Sequence, residues 1–395
     1  MNKEIKQGYK QTKVGIIPED WEVKTFQSIF ERVTRKNTVN NQNVLTISAQ
    51  HGLVNQEDFF NKSVSSEDLS GYILLNKGEF AYNKSYSNGY PMGAIKRLKK
   101  YDQGVVSSLY IYFKAIKDDP EFYEHYFEAG LLNREIYKIA QEGARNHGLL
   151  NMSVIEFFKD LHVAKPPKIE QQKIAQILTT WDETIVKQEK LIKEKEQLKK
   201  GLIQKLLSGE VRFQGFDEDW KFVKLGDLLD YLQPTQYLVS DTNYSDEYET
   251  PVLTAGKTFI LGYTNETEGI FEDNLPVIIF DDFTTATQFV DFPFKAKSSA
   301  MKILKPKNKS VNVKLVYEIM QMINFIADDH KRYWISEYQE LEIKLPSKEE
   351  QLKISEFLNT INDEINLLKN ELEELKLQKK ALMQKLLTGQ VRVKV

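Results

Sequence analysis

Asp281 and Asp282 stand side by side after the apolar run Val277 to Phe280. Carboxylates at a strand end could hold Mg²⁺ for phosphodiester cleavage, with Lys344 as a distant companion. The first half of the chain carries Asn83 and Lys84 at about the matching place, so a variable recognition surface accounts for the acids better than a catalytic pair does. Ala255, Gly256, Lys257 and Thr258 resemble the close of a phosphate-binding loop, but the glycine required five residues before Gly256 is Pro251, and such a loop could not cradle a phosphate. His51, His125, His147, His162 and His330 show no metal-ligand spacing. Asn88, Gly89 and Gly93 mark a turn, and there is neither an Asn-Pro-Pro-Tyr-like adenine-methylating motif nor a glycine-rich cofactor loop. No catalytic residue, resident metal or cofactor is assigned to this chain.

What remains is polar and aromatic chemistry suited to base edges. In the first half, Tyr82, Asn83, Lys84, Tyr86, Asn88, Tyr90, Lys96 and Arg97 lie close together, and Arg145, Asn146 and His147 follow in GARNHG. In the second half, Thr284, Thr285, Thr287 and Gln288 precede Lys295, Lys297, Ser298 and Ser299, with His330, Lys331 and Arg332 placed like the Arg145 segment. Asn pairs bidentately with adenine and Arg with guanine, while Lys holds phosphates. As a set on matching segments, these residues favour nucleic acid.

The elements that would carry them come in two copies. Residues 166 to 213 recur without a gap as residues 346 to 393, with 20 of 48 positions identical, including a proline entry, a Glu-Gln pair and a Gln-Lys-Leu-Leu-x-Gly-x-Val-Arg exit. Proline starts and glycine stops (Pro166, Pro167 and Gly209; Pro346 and Gly389) predict two helices of about 40 residues, each roughly 60 Å long. In the second, Leu358, Ile361, Ile365, Leu368, Leu372, Leu375, Leu382 and Leu386 form a heptad seam broken only by Lys379. The first offers Leu178, Trp181, Ile185, Ile192, Leu202 and Leu206, with breaks at Gln188, Lys195 and Lys199. Polar breaks in a seam cost stability and fix register, so the helices should accept one pairing.

The flanking regions match as well. Asp20 and Trp21 correspond to Asp219 and Trp220, and Ile155, Leu161, Val163 and Pro166 lie 180 positions before Ile335, Leu341, Ile343 and Pro346. Each copy reads as short apolar strands (104 to 115; 277 to 280), a helix (about 120 to 142; about 312 to 327), a last strand and the long helix. The expected fold is α+β: two similar α/β domains joined by two long helices that pair as an antiparallel coiled coil, with a pseudo-twofold internal repeat. The expected boundaries are 1–165 and 214–345 for the domains, and 166–213 and 346–395 for the helices.

At 395 residues and 41% hydrophobic, the chain is long enough for two or three cored domains. The absence of cysteine excludes disulfide and thiolate-metal frameworks and suits a reducing cytoplasm. The polar, lysine-rich start and the lack of any run near 18 apolar residues predict a soluble protein without a membrane partner. The net charge of −3 conceals −9 in residues 214 to 345, a poor balance for general polyanion binding. Within that segment, however, Lys295, Lys297, Lys302, Lys305, Lys307 and Lys309 cluster without an acid among them, compatible with a narrow DNA-facing edge.

The opening GYKQTKVGIIPEDWEVK, the segments LHVAKPPKIEQQKIAQIL and LEIKLPSKEEQLKISEFL, the exits KLLSGEVRF and KLLTGQVRV, and VIIFDDFTTATQF together resemble the specificity subunit of type I restriction-modification systems, over essentially the whole chain. The resemblance implies two target-recognition domains, each reading half of a bipartite site in double-stranded DNA. It implies antiparallel helices that set the half-site spacing and hold two methyltransferase subunits, with two restriction (motor-nuclease) subunits joining for cleavage. It implies adenine-N6 methylation from S-adenosylmethionine bound by the partner and not by this chain. Two other readings stay open on sequence alone: a stand-alone Mg²⁺-dependent nuclease using Asp281 and Asp282, and a coiled-coil scaffold for proteins only.

Overall fold

The computed structural model describes residues 5–60, 65–142, 150–256, 258–327 and 332–394. The chain divides into two compact units, Met1–Glu189 with Glu371–Val395, and Lys190–Asn370.

In the first unit, strand β1 (Glu22–Thr25) is followed by β2 (Phe30–Arg32), β3 (Phe80–Asn83), β4 (Ala94–Arg97) and β5 (Ile111–Ala115). Strands β2, β5, β3 and β4 form, in that order, an antiparallel sheet. Helix α1 (Pro120–Glu128) covers it, with Asp119 accepting hydrogen bonds from the amides of Glu121 and Phe122 and Pro120 at the first helical position. Strand β6 (His162–Lys165) returns to pair with β1 and leads into α2 (Lys168–Ser208). Phe26, Phe30, Phe80, Phe113, Phe122 and Phe157 fill a core that also buries Ile174 and Leu178 of α2.

The second unit repeats this plan with β7 (Lys221–Lys224), β8 (Leu229–Leu232), β9 (Val277–Asp281), β10 (Thr287–Val290) and β11 (Met301–Pro306). The sheet order β8, β11, β9, β10 is that of the first unit. Helix α3 (Val313–Met320), short helix α4 (Tyr333–Ser336) and β12 (Glu342–Leu345), which pairs with β7, precede α5 (Lys348–Leu387). The core joins Ile278, Phe280, Trp334 and Tyr338 to Leu206 of α2 and Ile354 and Leu358 of α5.

Three expected elements are shorter than their sequence runs. The helix expected over 120 to 142 breaks into Pro120–Glu128 and Asn133–Ile139, because Gly130 takes φ +69° and ends the first piece. The run 104 to 115 is two strands, Gln103–Val106 and Ile111–Ala115. The helix expected to 327 stops at Met320, and Phe325 instead packs its ring on Tyr333 and Tyr338.

Both long helices obey the heptad. Leu178, Ile192, Leu206, Leu358, Ile365, Leu372 and Leu386 are buried, and Trp181, Ile185, Leu202, Ile361, Leu368, Leu375 and Leu382 are half-buried. Polar seam positions meet polar partners on the other helix. In the first unit Lys379 pairs with Asp182 and Gln188 donates to Glu371; in the second Lys195 pairs with Glu364. In the first unit Glu170, Asp182 and Glu189 meet Arg392, Lys379 and Lys376, and in the second Lys195 and Arg212 meet Glu364 and Glu350, so within each unit rising numbers along α2 and its exit meet falling numbers along α5 and its exit, and the helices are antiparallel. A slipped register would leave these half-buried charges facing leucines.

The Glu-Gln pair opening each helix has a clear task. Glu170, 1% exposed, accepts the indole N–H of Trp21 at 2.9 Å and both Nε and Nη2 of Arg392 at 2.7 and 2.8 Å. Glu350, wholly buried, likewise accepts Trp220 at 3.1 Å and Arg212 at 3.0 and 2.8 Å. The neighbouring glutamines, Gln171 and Gln351, donate to the carbonyls of Pro166 and Pro346, satisfying groups at the helix entry. Gly389 at φ +69° lies against Pro18 and Trp21 where a Cβ would sit 2.5 Å from the proline ring, so the exit glycine allows the arginine to reach its site. Glu170→Ala strands a buried indole N–H and a guanidinium. It is expected to destabilise the chain by about 2–3 kcal/mol, read as a lower denaturation midpoint with an unchanged m-value.

His125 on α1 is buried beside Thr179, with its Nδ1 3.8 Å from Asp182. Burial, opposed by Asp182 and reinforced by Lys379, holds its pKa below the usual 6.5; Glu124 and Lys99 exert smaller opposite pulls. A depressed histidine pKa means that the unfolded chain takes up the proton first, so stability falls as pH drops below about 6.5. Melting curves at pH 7.5 and 5.5 should show a loss that His125→Gln diminishes.

Candidate nucleic-acid interface

In both units some of the candidate residues lie at the same place, the turn joining the last two strands of the four-stranded sheet. In the first, β3 and β4 flank residues 84 to 93. Tyr86 is 63% exposed and Asn88 is exposed, while Asn83 and Lys84 are half-buried. The Asn83 carboxamide accepts the amide N–H of Ser85, and the carbonyl of Lys84 accepts the amide N–H of Leu150.

The structure assigns other members of the set differently. Tyr82 is wholly buried, stacks on Phe157 and donates its hydroxyl to the Met92 carbonyl; burial raises its pKa, as expected for a core phenol. Lys96 pairs with Glu128 at 2.6 Å and also donates to Tyr90, whose hydroxyl in turn donates to Glu128. Arg97, its side chain 9% exposed, bonds Glu124 at 2.7 Å and Glu121 at 3.0 Å. Helix α1 therefore neutralises both cations, and neither is presented to a phosphate. Arg145, Asn146 and His147 lie outside the described residues.

In the second unit the turn between β9 and β10 is closed by Asp281. Its carboxylate accepts the amides of Phe283 and Thr284, and its carbonyl accepts Thr285. Thr285 has φ +59°, a left-handed conformation that costs a β-branched residue energy. Thr284 is exposed, Thr285, Thr287 and Gln288 are half-buried, and Gln321 donates to Thr287. Arg332, just before α4, is exposed, while Lys331 and His330 lie outside the described residues, as does Lys257.

Within the lysine-rich stretch Lys295 and Lys302 are internal, Lys297 and Lys305 are half-buried, and Lys307 and Lys309 are exposed. Lys295, 3% exposed, pairs with Glu266 at 2.8 Å and donates to the Glu268 carbonyl. Lys302, 1% exposed, faces Asp282, and Lys307 pairs with Asp230. Lys297 is half-buried over the Tyr244 ring, Ser298 and Ser299 are exposed, and the Ser298 hydroxyl accepts the Ala300 amide. As a phosphate contact Lys295 is thus corrected to a structural residue, since its only charge is spent inside the fold. Acids distant in sequence did this, a signal that residue spacing does not carry.

The paired carboxylates do not form a metal centre. Asp281 closes its own turn, Asp282 is buried against Lys302, and Lys344 lies over the Phe222 ring. Among the described residues no group of three or more His, Cys, Asp or Glu could hold a metal ion, and no helix is long and apolar enough to cross a membrane.

Residues 217–377 match the family described as type I restriction modification DNA specificity domain. The chain is 24% identical to a putative type I restriction enzyme MjaX specificity subunit of Methanocaldococcus jannaschii, over 98% of this chain and 97% of that protein. Residues 217–377 thus carry a type I specificity domain, and the chain is similar over nearly its whole length to a type I specificity subunit. The EcoR124I/EcoR124II specificity subunit of Escherichia coli is 47% identical over 180 residues, 43% of this chain and less than half (44%) of that protein. The fold is that of the S subunit of a type I restriction-modification system from M. genitalium, with a TM-score of 0.55 at 16% identity, covering 93% of this chain and 96% of that one.

In this chain, exposure separates residues that build the turn from residues free to touch a ligand. The residues that sequence reading missed, Glu121, Glu124, Glu128 and Glu266, act by occupying cations. Tyr82→Ala should cost about 3–5 kcal/mol in a chemical denaturation series, whereas Tyr86→Ala should stay within about 0.5 kcal/mol of the parent.

Proposed function

We propose that this chain is the DNA-recognition subunit of a type I restriction-modification complex, each unit reading one half of a bipartite site in double-stranded DNA. The observation that carries the reading is the repeat itself. The same four-stranded sheet occurs twice, and each copy presents exposed polar side chains on the same turn: Tyr86 and Asn88 in one, Thr284 in the other. Side chains of this kind read base edges, and two different readers on one chain suit an unpalindromic site. The segment charge of −9 in residues 214 to 345, with Lys295 and Lys302 turned inward, argues that tight binding needs basic partner subunits around the duplex.

In this reading the chain is not an enzyme. Methyl transfer to adenine N6 belongs to two partner methyltransferase subunits, which bind S-adenosylmethionine, and cleavage to two restriction subunits. The paired helices are the scaffold for them, and the complex works in the cytoplasm. The burial of Asp282 and the capping role of Asp281 weigh against the nuclease alternative.

Mapping methylated adenines across the genome of host cells tests this. Cells lacking the chain should lose one bipartite pattern of modified sites. Exchanging residues 1–165 for the same region of a relative should alter the bases of one half-site alone. Altered bases in both halves, or no dependence on the chain, would overturn it.

A further inference from the structure

The two units tie down their turns in the same way up to a point. In the first unit the carbonyl of Lys84, just beyond β3, accepts the amide N–H of Leu150 at 3.1 Å. In the second the carbonyl of Asp282, just beyond β9, accepts the amide of Tyr333 at 3.0 Å. The equivalence is supported by the strands, since Tyr82 and Phe280 each stand two residues earlier and face their cores, opposite Ile111 and Lys302 respectively.

Beyond that shared bond the units part. Asp282 is 1% exposed, and one carboxylate oxygen accepts the amide of Trp334 at 3.0 Å. The other has no hydrogen-bond partner among the described residues and is faced by the ammonium of Lys302 at 3.4 Å, a charge contact without an aligned bond. Lys302 is as buried as its partner and also lies over the Tyr231 ring. Replacing a buried ion pair by apolar residues is often neutral or stabilising, so stability alone explains this one poorly. Its geometric effect is plain. Asp282 sits two residues before the exposed Thr284, and the two amides it holds begin α4 immediately after the exposed Arg332. The Asp282 carbonyl and carboxylate together therefore fasten the turn carrying Thr284 to the segment carrying Arg332, beside the left-handed backbone of Thr285, and the carboxylate's share of that clamp has no counterpart at Lys84.

We propose that Asp282, held by Lys302, is a positioning residue for base readout by the second unit alone: it fixes the separation of Thr284 and Arg332. The proposal rests on the DNA-recognition reading above. Base discrimination by a side chain depends on placing its donors to within a fraction of an ångström, and a worn clamp lets the same side chains accept neighbouring bases. The first unit has Lys84 at the equivalent place and serves as an internal control.

The test maps methylated adenines in host cells carrying the full-length chain as wild type, Asp282→Asn, Arg332→Ala, or both, with melting curves on each purified chain. Asp282→Asn is expected to relax base preference roughly ten-fold in one half-site while the other half keeps its bases. Combined with Arg332→Ala it should add no further loss, because a residue acting through Arg332 has nothing left to position. If Asp282→Asn alone is too unstable to accumulate, Asp282→Asn with Lys302→Met removes both buried charges. That double variant should melt near the wild type and still show the relaxed half-site. Wild-type preference in both halves from a folded variant would overturn the proposal, as would equal relaxation of both halves or full additivity with Arg332→Ala. A wild-type chain that directs no sequence-specific modification would instead sink the DNA-recognition reading itself.

Discussion

The buried glutamate at the start of each long helix is the constraint on which the rest depends. Glu170 and Glu350 each accept a tryptophan indole from the domain beside them and a guanidinium from the end of the other long helix. A carboxylate without these donors would face a heavy desolvation penalty at such low exposure. The three groups therefore assemble together or not at all, and each unit is closed by the start of one helix and the end of the other. Arg392 is anchored further by Asp20, whose carboxyl it holds below the usual carboxylate range, while the two acids raise the guanidinium in return.

From that closure follows the antiparallel register, and from the register the roles of the polar seam residues. Lys379, Lys195 and Gln188 interrupt leucine stripes, yet each reaches an acid on the facing helix. Specific polar pairs in a seam exclude alternatives more than they add stability. The helix ends then carry the domain cores, since Leu178 in one unit and Leu206, Ile354 and Leu358 in the other are core residues in their own right. The sheets stand on this base, and their turns are left free to vary in sequence between the two copies.

Several cations of the candidate set are used inside the molecule. Arg97, Lys96, Lys295 and Lys302 each have a carboxylate within 3.4 Å. Among the described residues, the candidates that reach solvent include Tyr86, Asn88, Thr284 and Arg332, with hydroxyl, amide and guanidinium donors. Such a surface suits selective reading within an assembly more than unaided adhesion to a polyanion.

The repeat, the two long helices with their proline starts and glycine stops, and the seam positions were all open to reading from residue order, although the helices end at Ser208 and Leu387, short of the segment limits 213 and 395. Helix periodicity and end signals are local properties, written within a few positions of where they act. The likeness of Trp21 to Trp220 and the recurrence of the Glu-Gln and Val-Arg motifs were visible too, but not that these pieces meet. Glu170 and Arg392 are 222 positions apart, and only folding joins them. The same holds for the candidate interface. Residue type singled out the turns, whereas the choice among their residues was made by tertiary contacts: Tyr82 went to the core, Arg97 to the acids of α1, Lys295 to Glu266 and Asp282 to Lys302. A long cation or a phenol has equal chemistry on a surface and in a core, and what decides its role is the partner that packing brings within three ångströms.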